Sequence, residues 1–247
     1  MIKKIKKTMM KYLDSLAYKT SHFSDLKMID DEFGLIYQKC SKYTVTTKMS
    51  LYALYKAVKY IAKSKIAGDI VECGVWKGGS AMVIAYALID MNEIDRKIYL
   101  YDTFTGMTEP TKEDIAIPNK ASAINKWNKN KFNDWETIPL QEAKENILST
   151  GYPEKNLIFI KGDVQDTLLE TKHEKISLLR LDTDWYESTM QELVHLYPSL
   201  SERGVLIIDD YGYWAGSKKA TDDFLEDKQI LLNRIDQTGR IGIKSHI

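Results

Sequence analysis

Five short apolar runs, each separated by a helix-compatible segment, predict an α/β fold built on a doubly wound, mostly parallel sheet. The runs are DIVEC (69–73), KIYLYD (97–102), NLIFIKGD (156–163), ISLLRLD (176–182) and GVLIIDD (204–210), rich in Ile, Val, Leu and Tyr. Near the C-terminus, ILLNRID and RIGIKS flank Gln237-Thr238-Gly239, which predicts a hairpin closing the sheet with an antiparallel strand.

Taken in order, the chain opens on MIKKIKKTMMKYL, a basic and partly helical arm. It lacks the continuous apolar stretch and small-residue cleavage site of a signal peptide. Leu51, Leu54, Tyr55, Val58 and Ile61 recur at helical spacing opposite Lys56, Lys59 and Lys63, so 50–63 reads as an amphipathic helix. Residues 104–140 carry Trp127, Trp135, many Lys and Asn and no clear strand, the pattern of a lid or binding loop. Past the fourth run, Ser188 and Gln191 make a capping-box pattern, with Met190, Leu193, Val194 and Tyr197 lining one face behind it.

Composition narrows the function classes. The 247 residues suit one large domain, and 35 basic against 35 acidic residues leave no net charge to attract nucleic acid or another polyanion. The longest apolar run, AMVIAYALI (81–89), is too short to span a bilayer. Cys40 and Cys73 have no metal-ligand spacing, and two cysteines of this kind suit a reducing cytoplasm.

Ligands of open α/β sheets bind beyond the carboxyl ends of the strands, where this chain keeps its unusual residues. ECGVWKGGS follows the first strand, with Gly74, Gly78 and Gly79 allowing a close turn before Ser80 opens a helix. The spacing matches neither the dinucleotide fingerprint nor the Walker signature, which disfavours NAD and ATP. An acidic residue before the turn, Glu72, and another ending the next strand, Asp102, suit a methionyl ammonium and a ribose diol, hence S-adenosylmethionine. Equally open is a purely structural reading, in which Glu72 caps the helix and Asp102 starts a turn. Asp163 in KGDV either accepts from an adenine amino group or forms an ordinary Gly-Asp turn. The last two runs end in acidic pairs, Asp182 with Asp184 and Asp209 with Asp210. So much charge in one place calls for a cation or a reaction, unless these residues cap helices or pair with Arg180 and nearby Lys.

Together, GDIVECGVWKGGSAM, YLYDTFTGMTEPT, IKGDVQDTL, LLRLDTDWYEST and GVLIIDDYGYWAGSKKA resemble the macrocin O-methyltransferase family over about 48–244. The resemblance implies a Rossmann-like class I methyltransferase that binds S-adenosylmethionine and Mg²⁺, methylates a sugar hydroxyl and assembles as a dimer or larger oligomer. It divides the chain into a helical arm at 1–45 that caps the acceptor side and a methyltransferase domain at 46–247, with 104–140 as lid. It places the methionine end at Glu72, Gly74, Val75 and Trp76 with Ser80 nearby, the ribose at Asp102 and Thr103, and the adenine at Asp163 and Val164. Asp182, Asp209 and Asp210 are its metal ligands. The family often has Thr-Ser-x-x-Arg where this chain reads TTKMSLYAL; without that Arg, Ser50 is given no cofactor role.

A sugar hydroxyl is a poor nucleophile at neutral pH, and Mg²⁺ held by a few carboxylates keeps positions open for substrate oxygens. Asp182 is the expected general base as well as a ligand. His22, His173, His195 and His246 lie outside the strand-end motifs and read as surface residues. Tyr186, Tyr211 and Trp214 wall the acceptor or belong to the core. The acceptor is expected to be a surface-polysaccharide, nucleotide-linked or natural-product sugar. The competing readings are a catechol-type acceptor, or a non-catalytic scaffold that binds S-adenosylmethionine.

Overall fold

In the computed structural model, residues 29–129 and 137–245 are described. The basic start of the chain, His22, Trp135 and His246 lie outside them. Two compact units, 1–36 and 37–247, divide the chain. Of the first, only 29–36 are described, leading into α1 (Asp31–Cys40). Residues 37–45, expected in the arm, fall in the second unit.

That unit is a seven-stranded sheet in the order β3-β2-β1-β4-β5-β7-β6. Its strands are β1 (Asp69–Cys73), β2 (Ile98–Asp102), β3 (Leu157–Lys161), β4 (Ile176–Leu181), β5 (Leu200–Ile208), β6 (Asn233–Arg234) and β7 (Arg240–Ile243). The first five are parallel, and β7 returns antiparallel against β5, pairing Ile207 with Ile241. The predicted strands and hairpin are therefore present, with β5 starting four residues early and β6 reduced to two residues. The chain runs outward from β1 to β3 and then crosses back to β4 beside β1. That reversal opens a crevice between the carboxyl ends of β1 and β4.

Strand periodicity sorts the core. Val71, Cys73, Leu179, Leu181, Leu206 and Ile208 share one buried cluster with Val164 and Leu168 of α6 (Val164–Glu170) and Leu193 and Leu196 of α7 (Tyr186–Leu196). Alternation turns Ile70, Glu72, Leu178 and Arg180 to the opposite face. On α2 (Lys48–Lys63), Leu51, Leu54, Tyr55, Val58 and Ile61 are buried, as the apolar spacing predicts. The helix α3 (Gly79–Asp90) is apolar nearly all round and accordingly buried. Among the described residues no helix is long and apolar enough to cross a membrane.

Two expectations for α7 change. The helix begins at Tyr186, and no side chain of its N-cap residue, Trp185, closes it. Ser188 is thus inside the first turn, and its hydroxyl bonds Thr183 and the Trp185 carbonyl rather than capping. The free Tyr186 N–H donates instead to Asp114 Oδ1 at 2.9 Å, a carboxylate from the 104–140 insertion. Asp114 is fully buried, and its Oδ2 accepts from Thr111 N–H at 2.6 Å. The buried face of α7 also differs: Val194 is exposed, while Glu192 is buried beside Leu193 and Leu196. Glu192 Oε1 accepts from the Thr183 hydroxyl at 2.9 Å, and Oε2 has no hydrogen-bond partner.

The insertion is an integral part of the fold. Ile117 N–H donates to Tyr213 O and Ala215 N–H to Ile115 O, so it strands itself against the loop entering α8 (Ala215–Leu225). Trp185 and Trp214 meet edge to face at 4.9 Å, with Ala116 and Ala123 packed around them. Trp127 lies on α4 (Ala123–Lys129), and α5 (Leu140–Leu148) follows the insertion.

Two outcomes follow from these buried carboxylates. Asp114→Ala leaves two buried N–H donors unpaired, and the expected loss is roughly 3 kcal/mol of stability, read as a lower urea midpoint. Burial pushes Glu192 up to about 8 from the ordinary 4.5, against the Thr183 hydrogen bond that pulls it down. Its contribution to stability is then complete below 4.5 and lost as the pH rises through about 8. Glu192→Gln should lose less stability than the parent over that window; parallel pH profiles of the urea midpoint would contradict the assignment.

Candidate active site

At the β1/β4 crevice lies a cavity of about 510 Å³. Gly74, which follows β1, has φ +84, and a Cβ there would lie 1.9 Å from the Asp182 carbonyl oxygen. Glycine is therefore what lets the ends of β1 and β4 close on one another. Asp182 N–H donates to Cys73 O and Asp209 N–H to Leu181 O, both at 2.9 Å. These bonds carry the sheet register one residue past the strands and bring the acidic termini side by side. Trp76, Phe104 and Asp184 all have positive φ (45, 52 and 71). Each sits just beyond a strand end at the cavity, where such strain is typical of functional loops.

Eight of the nine positions expected to hold the cofactor line this cavity: Gly74, Val75, Trp76, Ser80, Asp102, Thr103, Asp163 and Val164. Asp102 Oδ2 accepts from Val75 and Trp76 N–H at 2.8 and 2.9 Å, and Oδ1 from Phe104 N–H at 2.7 Å. It braces the glycine turn against β2 and retains one lone-pair direction on Oδ1 for a hydroxyl. The turn reading is thus realised, and the same carboxylate also faces the cavity. Asp163 caps α6 through Oδ1, which accepts from Gln165 N–H at 2.9 Å. Thr103 turns its hydroxyl to Gly106 O.

Glu72 is the exception. It is wholly buried, does not line the cavity, and stands beside Arg180 in the strand register, with Oε1 2.8 Å from a guanidinium nitrogen. The methionine-end contact expected of Glu72 thus falls on a side chain whose Oε1 pairs with Arg180 and whose Oε2 is buried with no hydrogen-bond partner. Burial nonetheless raises the Glu72 pKa, with Arg180 opposing.

The acidic residues also sort themselves differently from expectation. Oxygens of Asp182, Asp184 and Asp210 lie within 4.8 Å of one another, a grouping able to hold a metal ion. Asp209, the third ligand that the resemblance implies, also lines the cavity and has Oδ1 3.0 Å from Arg180, while Asp184 joins the group as a further carboxylate. Asp182 Oδ2 is 2.8 Å from Arg180 while its side chain stays 24% exposed toward the cavity. Burial raises the Asp182 pKa well above the usual carboxylate range, outweighing Arg180, with Asp209 and Asp210 adding to the rise. Burial and then Asp184 raise Asp210 likewise, and its Oδ2 is buried with no hydrogen-bond partner. An orphaned carboxylate oxygen beside two more carboxylates fits a hard divalent cation, which takes oxygen ligands.

On the acceptor side, Trp214 lines the cavity as expected, but Tyr186 and Tyr211 do not and bond Asp223 and Asp222 instead. Tyr213, 39% exposed and edge-on to Trp214 at 5.1 Å, takes that place together with Met107 and Lys126. The segment Tyr43–Thr47, whose last two residues open the TTKMSLYAL stretch, also lines the cavity. His173 is packed rather than exposed: its ring meets Tyr99 edge-on at 4.6 Å and bonds the Tyr101 hydroxyl at 2.7 Å.

Known proteins resemble this chain in sequence, and others in fold. The demethyldecarbamoylnovobiocin O-methyltransferase of Streptomyces niveus is 27% identical over 184 residues, 72% of this chain and 68% of that protein. The mycinamicin III 3''-O-methyltransferase of Micromonospora griseorubida is 30% identical over 172 residues, 68% of this chain and 65% of its own length. The 8-demethyl-8-(2,3-dimethoxy-alpha-L-rhamnosyl)-tetracenomycin-C 4'-O-methyltransferase of Streptomyces olivaceus is 31% identical over 64% of this chain, which spans 58% of that protein. Among solved structures, the O-methyltransferase NovP superposes with a TM-score of 0.72 at 26% identity, covering 83% of each chain. The calicheamicin methyltransferase CalS11 shares the fold, with a TM-score of 0.63 at 16% identity over 86% of this chain and 91% of that one. The profile of the macrocin O-methyltransferase family matches residues 4–241, and the chain belongs to that family.

Proposed function

We propose that this protein transfers a methyl group from S-adenosylmethionine to a sugar hydroxyl with the help of Mg²⁺. The observation that carries the reading is the acidic group at the cavity floor, Asp182, Asp184 and Asp210, with its orphaned Asp210 oxygen. The name of one relative supports the acceptor class, since it specifies a rhamnosyl-bearing natural product. In this reading the enzyme works in the cytoplasm as a homodimer or larger oligomer.

The adenine end of the cofactor belongs against Val164 and Asp163, the ribose against Asp102 and Thr103, and the methionine end along Gly74–Trp76 and Ser80. Asp182, Asp184 and Asp210 would hold Mg²⁺. When bound, the ion supplies an anchor for neighbouring acceptor oxygens and makes a hydroxyl proton easier to lose. Asp182 is the general base, open to the cavity on one edge. The acceptor oxygen attacks the methyl carbon and the carbon–sulfur bond breaks with its electron pair passing to sulfur. The hydroxyl proton goes to the Asp182 carboxylate.

Asp182→Asn should lower kcat by about 10²–10⁴-fold, the usual worth of a placed general base. Cofactor affinity, measured by calorimetry, should change far less, because the cofactor contacts lie elsewhere. A variant that turns over like the parent removes Asp182 from the mechanism. Separately, excess EDTA should abolish methylation of a glycoside panel and Mg²⁺ restore it. Full activity in chelator would end the metal role, and methylation of catechols alone would move the acceptor class.

A further inference from the structure

Arg180 is the largest charged side chain sealed inside this sheet, at 1% exposure, and it has no role in the chemistry above. Its partners span three structural layers. One terminal nitrogen lies 2.8 Å from both Glu72 Oε1 and Asp182 Oδ2. The other lies 3.0 Å from Asp209 Oδ1 and donates to the Thr46 hydroxyl at 3.1 Å. Thr46 is in the Tyr43–Thr47 strap, every residue of which lines the cavity. The strap rests on the turn that opens α3: a Cβ at Gly79 would lie 2.7 Å from the Tyr43 carbonyl oxygen and from Thr44 Cβ. Its far end is tied by Thr47 and Ser50 to Asp236 of the C-terminal hairpin, the Ser50 bond being 2.9 Å.

We propose that Arg180 is a positioning residue with two duties: it aims the Asp182 carboxylate into the cavity, and through Thr46 it latches the strap over the methionine end of the cofactor. A planar guanidinium reaches four oxygens from a fixed fork, whereas an ammonium on a flexible stem cannot hold the same set. Glu72 anchors the fork from the neighbouring strand β1 through Oε1. The inference rests on the methyltransferase reading, in that the cavity is taken to hold S-adenosylmethionine.

The test measures binding of S-adenosylhomocysteine to the full-length protein by calorimetry, with no acceptor present. Thr46→Val removes only the latch and should weaken that binding about tenfold, the worth of a hydrogen bond from a charged donor. It should raise the KM for S-adenosylmethionine more than it lowers kcat. Thr46→Ser keeps the hydroxyl and should restore affinity. Arg180→Lys should weaken binding as well, and adding Thr46→Val to it should cost nothing further, since the latch is already gone. Affinity of Thr46→Val equal to the parent's would overturn the latch, as would failure of Thr46→Ser to rescue, or full additivity with Arg180→Lys in a folded double variant. A parent protein that does not bind S-adenosylhomocysteine would instead sink the methyltransferase reading itself.

Discussion

One buried guanidinium sets the conditions for the rest of the site. Removing Arg180 from water costs several kcal/mol, and only carboxylates at hydrogen-bonding distance offset such a cost. The parallel register supplies the first, Glu72, as its direct neighbour on β1, and the ends of β4 and β5 supply Asp182 and Asp209. One positive charge is then set against three negative ones, with Asp184 and Asp210 packed alongside. Burial, with the neighbouring carboxylates adding to it, drives Asp182 and Asp210 toward the protonated form. A divalent cation among these carboxylates, as proposed, would leave their oxygens ionised and give the orphaned Asp210 Oδ2 a partner.

The loops that surround the floor are held by equally specific contacts. Gly74 permits the approach of β1 to β4, and Asp102 ties three backbone N–H groups to the end of β2. Asp114 then reaches from the insertion to the first turn of α7, directly after the Asp182–Asp184 corner. A Cβ at Gly216 would lie 1.9 Å from Asp114 Oδ1, so α8 also closes on this carboxylate. The insertion, α7 and α8 therefore share a buried polar joint. Movement of the insertion would disturb the acidic corner as well as the acceptor wall.

Strands, hairpin and glycine turn were legible because each depends on local periodicity or on a residue with special backbone freedom. What escaped depended on partners distant in sequence. Nothing near Tyr186 announces that Asp114 satisfies its N–H, so Ser188 with Gln191 looked like the cap. Glu192 and Val194 exchange places on α7 because Thr183 and Cys73 lie under the helix and offer Glu192 polar neighbours. Glu72, Asp182 and Asp209 read alike as strand-end carboxylates, and that all three converge on Arg180 emerges only from the fold. Arg180 itself was legible as a possible partner of the aspartates. Its reach to Glu72 and Thr46 required the register and the strap.

The acceptor wall argues for a sugar on physical grounds. Tyr213, Trp214 and Met107 give one side of the cavity apolar surface, while Asp182, Asp184 and Asp210 give its floor charge. A pyranose has the same division, with C–H groups on its faces and hydroxyls round its edge, so one orientation satisfies both surfaces. Trp214 is braced by Trp185, whose indole N–H donates to Thr108 O in the insertion at 3.1 Å. The aromatic wall is therefore rigid where it adjoins the acidic floor. Tyr213, 39% exposed, is the more open end of that wall.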